Sequence, residues 1–389
     1  MPTAATPFPE AILGLCLAWI FLAWSKRAVW MISLDRSNPP LKPLPASQAP
    51  PSGRPRVSVI IPARNEEKNI ARCLEGILVQ DYEPCEVIVV DDRSSDSTPE
   101  ILARLGQTAA RPFKVVRIEK TPPGWTGKNY ALHAGSRAAG GGWLLFTDAD
   151  TRHVKESVTT AVLTAEREGI DFLTLAPETE SRSFWEKTVQ PLAVSSLALW
   201  FARAGRVLAN GQYILVKRSV YEACGGNEAV KAEVVEDVAL AGKVGGAGGN
   251  VKFLNGTRLY STRMYSSLKE IRTGWTRIFT FLFEKRPGPI LHKIFLFCFF
   301  SILPFAVLLW QGTIGTWSTW YSPLLFWSSL AVSLWIIALR WQGNRRLRTD
   351  PLYAILHPLG SLVMVWILLE CLWRVLFHRP SVWRGDLYR

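Results

Sequence analysis

The stretch WLLFTDAD (143–150) runs from an apolar segment straight into two aspartates one residue apart. Two other apolar runs end the same way, VSVIIPA passing into PARNEE (62–67) and EVIVV into DDRSSDST (91–98). Singly, such an ending has an ordinary explanation, because Asp, Ser and Asn accept the free backbone N–H groups of a following helix. Three acidic endings along one edge repel each other and call for a cation or a donor-rich ligand. Mg²⁺ or Mn²⁺ suits them, since hard divalent ions take one or two carboxylates and complete their shell with substrate phosphates. Asp148 and Asp150 are the candidate metal ligands, with a diphosphate as the remaining donor. Lys128, in GWTGKNYA, stands just before a helical stretch and could neutralise phosphate; the alternative is an exposed surface lysine.

The elements that must carry these residues follow from periodicity. Strands are predicted at 57–63, 86–92, 113–118 and 143–150, separated by helices at about 66–80, 96–106, 128–139 and 154–168. Apolar runs alternating with helices predict an α/β domain with a mostly parallel sheet covered on both faces. In such a sheet ligands bind outside the carboxyl ends of the strands, which is where the acidic endings fall. Further strands are expected at 171–178, 211–217 and 251–262, with a long helix around 184–205. In NGQYILVKRSVYEACGGNE (210–228), Gly225 and Gly226 suggest a turn with positive φ or close backbone approach, which could be purely structural.

The flanks are of another kind. Residues 11–24 are wholly apolar and, with VWMISL, make a helix long enough to cross about 30 Å of hydrocarbon. No basic residue precedes the run and Lys26, Arg27 and Arg36 follow it, so it reads as an anchor with its N-terminus outside, not as a cleaved leader. Residues 1–36 are thus an anchor and 37–55 a Pro-rich semi-rigid linker. Residues 56–265 form the α/β domain. Residues 266–290 are expected to be a basic amphipathic helix on the membrane surface, burying Ile271, Trp275, Phe279 and Leu282; a core-facing helix is the alternative. Residues 291–389 hold apolar spans at about 294–310, 320–339 and 353–373 and a basic tail. Pro358 and Glu370 leave the last span open to a re-entrant or interfacial reading. The chain carries 45 Lys and Arg against 32 Asp and Glu, a net charge of +13. This excess gathers beside the spans, as in RWQGNRRLR (340–348), which points to a multi-pass cytoplasmic-membrane protein with its α/β domain in the cytoplasm, and away from nucleic acid. The six cysteines form no CxxC pair, so neither a disulfide framework nor a zinc site is expected.

VSVIIPARNEE, VIVVDDRSSDST, GWTGKNYALHAGSRAAGGGWLLFTDAD and VEDVALAGKV occur in the order seen in family 2 glycosyltransferases of GT-A fold. The resemblance covers roughly 56–262. PPGWTGK, the flanking spans and VWRGDLYR look most like membrane glycosyltransferases associated with hopanoid biosynthesis. They are also similar to enzymes that glycosylate carotenoids and to ceramide glucosyltransferases. The resemblance implies a nucleotide-sugar donor, probed first as UDP-linked, held by Pro62, Ala63, Arg64, Glu66 and Asp92, with Asp91 either sharing that task or structural. It implies that Asp148 and Asp150 hold metal and diphosphate, that Asp237 of the Glu236-Asp237 pair is the general base, and that the displacement inverts the anomeric centre. The alternative for the acidic pair is a favourable helix N-terminus. Gly211, Gln212, Gly225, Gly226, Glu236, Trp275 and Arg277 are implied for the sugar and acceptor pocket. Processive members carry Q-x-x-R-W after the base; SLKEIRTGWTR (267–277) lacks it, which favours transfer of a single sugar to a lipid over polysaccharide synthesis. A non-catalytic membrane scaffold would need none of Asp92, Asp148, Asp150 and Asp237.

Overall fold

The computed structural model describes residues 8–48, 53–201, 209–313, 321–383 and 386–388. The chain falls into two units. A helical unit comprises Met1–Ser37, Ser181–Leu197 and Tyr265–Arg379, and an α/β unit comprises Asn38–Glu180, Ala198–Met264 and Pro380–Arg389.

Helix α1 (Phe8–Ser37) opens the chain. The α/β unit continues with β1 (Val57–Ala63), α2 (Ile70–Leu78), β2 (Cys85–Asp92), α3 (Thr98–Thr108), β3 (Phe113–Ile118), α4 (Gly127–Ala138), β4 (Trp143–Thr147), β5 (Thr151–His153), α5 (Ser157–Arg167), β6 (Phe172–Ala176) and β7 (Glu178–Thr179). Next come α6 (Phe184–Phe201), β8 (Tyr213–Lys217), α7 (Arg218–Ala223), α8 (Glu236–Gly246), β9 (Val251–Asn255) and β10 (Tyr260–Thr262). The seven-stranded sheet has the order β3-β2-β1-β4-β8-β6-β9, and β5, β10 and β7 form a small second sheet.

Both faces of the large sheet are buried, by alternation along each strand. Val57, Val59 and Ile61 join one core with Val87, Val89 and Leu145, while Ile60 joins the other with Ile88, Val90, Leu144 and Phe146. This double burial is why the strands read as unbroken apolar runs, each large side chain contributing roughly 1.5–3 kcal/mol. The sheet is mostly parallel, as expected, and β8 is the one strand that runs against the rest, antiparallel to both β4 and β6. An apolar run buried on both faces carries no mark of direction. The run 251–262, expected as one strand, is two strands in different sheets. Asn255 Oδ1 accepts from the N–H and hydroxyl of Thr257, and this Asx turn ends β9.

The helical unit continues with α9 (Leu268–Leu282), α10 (Pro287–Phe297), α11 (Leu303–Thr313), α12 (Tyr321–Arg346) and α13 (His357–Leu376). Among the described residues four helical stretches are long and apolar enough to cross a membrane: Glu10–Ser37, Pro287–Thr313, Tyr321–Arg346 and Pro351–Leu376. The second joins α10 to α11 through a π-helical turn, Cys298–Ile302. Helices α1 and α12 run parallel, since Ser25 Oγ meets Trp335 Nε1 at 3.2 Å and Asp35 meets Arg346 at 2.9 Å. Pro358 lies in the first turn of α13, where no helical N–H is required, so the stretch continues unbroken. Glu370 is paired with Arg272 at 3.0 Å and Arg374 at 2.8 Å.

Helix α9 corrects an expectation. Its apolar stripe does not lie open to a bilayer: Ile271, Trp275 and Phe279 are buried by protein, and Trp275 Nε1 donates to Gln190 Oε1 at 2.6 Å. Amphipathic spacing says that one face is buried without saying in what.

Candidate active site

The carboxyl ends of β1 and β2 lie side by side, with Ala63 paired to Asp91. Pro62 and Ala63 are the last residues of β1, and the loop after them is joined to the loop after β2. Asn65, at φ 54°, accepts the Ser95 N–H at 2.9 Å and donates its own N–H to Ser94 Oγ at 3.0 Å. Glu66 donates its N–H to Thr98 Oγ1, and Glu67 and Asp96 complete the seam. The Glu66 carboxylate, almost fully buried, accepts from Asn69 at 2.8 Å. The two neighbouring aspartates divide their roles here. Asp91 accepts the Ser94 N–H and so holds the turn, while Asp92 is flanked by Arg93 at 2.7 Å and Arg64 at 3.8 Å.

The ends of β4, α4 and α8 bring the second half together. Thr126 caps α4 by accepting from the Asn129 N–H, which sets Lys128 in the first turn. Lys128 Nζ lies 2.9 Å from Asp148 Oδ1 and 2.9 Å from Glu236 Oε1. Asp237 follows Glu236 in the first turn of α8, and its carboxylate accepts the N–H groups of Gly211 at 2.7 Å and Val238 at 2.9 Å. Gly211 packs close against the cluster: a Cβ there would stand 3.1 Å from Lys128 Nζ and 3.4 Å from Asp237 Oδ2, so those side chains would have to give way by a few tenths of an ångström. Lys128, Asp148, Gly211, Glu236 and Asp237 therefore form one cluster. Two carboxylates hold the Lys128 ammonium protonated well above its usual range, against the cost of desolvation. Burial first, and the Glu236 charge second, push the Asp237 carboxyl up to about 6, with Lys128 and the two backbone N–H groups opposing. A carboxylate tuned to that range is suited to proton transfer near neutral pH.

Two buried polar residues that the sequence reading passed over hold this cluster in place. The Asn129 amide donates to the carbonyls of Val230 and Glu233, each at 2.9 Å, fixing the segment that leads into α8. His153 Nε2 lies 3.0 Å from both Thr147 Oγ1 and Thr151 Oγ1. Thr147 gives its hydroxyl proton to the Gln212 carbonyl and Thr151 gives its own to the Asp148 carbonyl, so His153 Nε2 must be the N–H that serves both. Burial pushes this imidazole down to about 3, which keeps it neutral. One ring thus ties the DAD turn to the loop carrying Gly211. Asn129 stands inside GWTGKNYA but was given no role there, and His153 lies just past the DAD turn, outside the motifs.

Asp148 and Asp150 leave β4 on the same turn, Asp148 partly exposed and Asp150 with one carboxylate oxygen buried. Among the described residues no group of three or more His, Cys, Asp or Glu could hold a metal by itself. Two hard oxygen donors fit an Mg²⁺ or Mn²⁺ whose remaining ligands come from a diphosphate, not an ion caged by protein alone.

The remaining pocket candidates separate. Gln212 is buried, donating to Thr262 Oγ1 at 3.1 Å. Gly225 and Gly226 both have positive φ, and a Cβ on Gly226 would stand 2.6 Å from the Tyr221 ring, so the pair builds a tight turn beside Asn227. Asn227 in turn donates to Asn129 Oδ1 at 3.0 Å. Trp275 and Arg277 belong to α9 in the helical unit, where Trp275 is engaged with Gln190.

Residues 58–238 match the family model described as Glycosyl transferase family 2. The 4,4'-diaponeurosporenoate glycosyltransferase of Staphylococcus aureus is 29% identical over 232 residues, 57% of this chain and 60% of that protein. Its Staphylococcus haemolyticus counterpart is 28% identical over the same length. The chain thus matches about 60% of the length of these relatives, which are named for a carotenoid acid and not for a hopanoid. The solved structure of the mannosyltransferase PcManGT from Pyrobaculum calidifontis, in complex with GDP-Man and Mn2+, shares the fold with a TM-score of 0.54 at 20% identity, covering 95% of this chain and 98% of that one. Residues 58–238 thus match glycosyl transferase family 2, in a mixed α/β fold shared with a solved glycosyltransferase, and the described chain carries helices long and apolar enough to span a membrane on both sides of that segment.

Proposed function

We propose that this chain is a membrane-bound inverting glycosyltransferase that moves one sugar from a nucleotide-diphosphate donor, UDP-linked in the first instance, to an isoprenoid lipid such as a hopanoid or a carotenoid. The observation that carries the reading is the cluster of Lys128, Asp148, Glu236 and Asp237 at the carboxyl edge of the sheet, inside a family 2 domain. Asp237 takes the proton of the acceptor hydroxyl, and the oxygen attacks the anomeric carbon from the face opposite the diphosphate. The bond to the diphosphate oxygen breaks, its electron pair leaving with the nucleotide. Lys128 supplies positive charge next to that oxygen. A divalent ion on Asp148 and Asp150, when bound, adds Lewis-acid stabilisation of the leaving diphosphate. Backbone N–H groups of Gly211 and Val238 fix the base, and the seam of Asn65, Ser94 and Ser95 shapes the nucleotide end beside Arg64, Glu66 and Asp92. For an acceptor carboxylate no proton need be removed, and Asp237 orients the attacking oxygen only in its protonated form, as a hydrogen-bond donor.

The membrane assignment is supported by the parallel run of α1 and α12. It sets Lys26, Arg27 and Arg36 at the same end as Arg340, Arg345 and Arg346, the pattern of a cytoplasmic face. We place the catalytic domain there, in the inner membrane. The test is purified protein with a panel of nucleotide sugars and a bacterial lipid extract, read by mass spectrometry. One glycosylated lipid is expected, with Asp237→Asn slowing its formation by roughly 10²–10⁴-fold while donor binding persists. A polymer product, or full activity in Asp237→Asn, overturns the reading.

A further inference from the structure

Three of the candidate spans each bring a cationic or ionisable side chain to one end of the helical unit. Arg27 lies on α1, continuing the inward stripe of Leu17, Ile20 and Trp24. Arg340 lies six residues before the end of α12, and His357 opens α13 just beyond the intervening connection. They converge. The Arg27 guanidinium stands 5.1 Å from the centres of the Trp24 and Phe300 rings, and the Trp24 ring meets the His357 ring edge-on at 5.7 Å. Arg340 donates to the Thr188 carbonyl at 3.1 Å, and a Cβ on Gly360, one turn along α13 from His357, would stand 2.7 Å from that same carbonyl.

This group is unusual in what it lacks. Arg340 is 7% exposed and His357 is 1% exposed. Among the described residues no carboxylate pairs with Arg340, whose Nε has no hydrogen-bond partner, and neither ring nitrogen of His357 has one. Ser361 Oγ, one turn from His357, and Asn344 Oδ1, one turn from Arg340, are buried without partners as well. An arginine keeps its charge in a protein, and a buried unpaired charge costs several kcal/mol unless an opposite charge meets it. Acids of this unit have other partners: Asp35 pairs with Arg346, Asp350 with Lys187, Glu370 with Arg272 and Arg374, and Glu284 with Arg286, while Glu186 accepts the Ser183 N–H and Glu270 the Ser266 N–H. Ionisable groups inside apolar spans mark ligand sites by default.

We propose that Arg340, His357 and Arg27 form a binding site for the anionic headgroup, phosphate or carboxylate, of a membrane lipid. A guanidinium fork and an imidazole N–H supply directed donors to such an oxyanion, with the Ser361 hydroxyl as a further donor. The position favours a lipid over a soluble anion. The group sits toward the helix ends, where headgroups lie, and α1 presents Leu22 and Val29, 65% and 68% exposed, on the face away from the inward stripe.

The experiment uses the full chain, purified in a non-ionic detergent and stripped of lipid. Phosphatidylglycerol, phosphatidylcholine and inorganic phosphate are each titrated in, with melting temperature and intact-complex mass spectrometry as readouts. Phosphatidylglycerol is expected to raise the melting temperature by several degrees and to remain as a single retained adduct. Arg340→Gln and His357→Gln should each weaken this response about tenfold or more, while Lys26→Gln, an exposed cation one residue from Arg27, leaves it intact. Should Arg340→Gln not fold, His357→Gln and Arg340→Lys decide, the latter keeping the charge but losing the fork. An equal response to phosphatidylcholine, or an undiminished one in the variants, overturns the proposal. A full response to inorganic phosphate alone overturns its lipid part, because the site would then take a free anion. The readout is binding, so it is independent of sugar transfer and is expected unchanged in Asp237→Asn.

Discussion

Lys128, partly exposed, and Arg340, buried, are both cations held inside their units, and the chain treats them in opposite ways. Lys128 is gripped by two carboxylates at 2.9 Å, so the α/β unit balances its own charge before any ligand arrives. Arg340 has a backbone carbonyl and no carboxylate. The first arrangement is a pre-assembled site whose charges can be redistributed when a diphosphate enters. The second is complete only with a negative group from outside the chain. A cation paired within the chain thus marks a site that turns ligands over, and a buried cation without a carboxylate marks one that keeps its ligand.

The largest effect that could break this comparison comes from metal removal. Asp148 has its oxygens on Lys128, so a divalent ion must share that carboxylate with the ammonium. Chelation with EDTA should bring sugar transfer down to background, Mn²⁺ or Mg²⁺ should restore it, and Asp150→Ala should respond to neither. Full transfer in EDTA would mean that Lys128 alone balances the diphosphate.

Next in size is Lys128→Met. Losing one hydrogen bond to a charged group costs roughly 1.5–3 kcal/mol, or about 10- to 100-fold in rate. The more telling readout is pH. In the wild type, Asp237 is pushed up to about 6, so transfer to a hydroxyl should fall about tenfold per unit below that pH as the base takes up a proton. The Lys128 charge opposes that rise, so removing it should move the acidic limb to higher pH. A lysine that only props up the fold would lower the rate and leave the limb where it was.

The same contrast governs what could be read from the sequence. The acidic strand ends, Lys128 and the Glu236-Asp237 pair were legible because motifs keep chemistry at fixed spacings on elements with clear periods. The strands were legible because double burial makes them unbroken apolar runs. The direction of β8 was not, since such a run reads alike both ways. His153 and Asn129 were not, because each serves a partner about as far off as Gln212 or Val230, which no local pattern records. Arg340 and His357 stood in plain view beside apolar spans, but positive charge there was already explained by the cytoplasmic rule. Only the packing shows that they turn inward. Trp275 failed for a related reason: its spacing announced a buried face, and bilayer and protein are interchangeable to a hydropathy pattern.

That last point yields the smallest expected effect and the most specific. At a bilayer surface, Trp275→Phe would keep an aromatic ring among headgroups and change little. Here the indole N–H is the donor to Gln190 Oε1, in a pocket where Gln190 is 1% exposed. Phe keeps most of the ring's contacts and removes only that donor, leaving the Gln190 carbonyl oxygen without its partner. An unsatisfied buried acceptor costs about 1–3 kcal/mol. The variant should therefore melt several degrees lower in detergent, with no change in donor affinity, because the donor residues belong to the α/β unit. Converting the acceptor as well, in Trp275→Phe with Gln190→Leu, removes both polar ends and should recover part of the loss. The single variant melting like the wild type would return α9 to the membrane surface, and a double variant no better than the single would assign the loss to the indole's packing and not to its hydrogen bond.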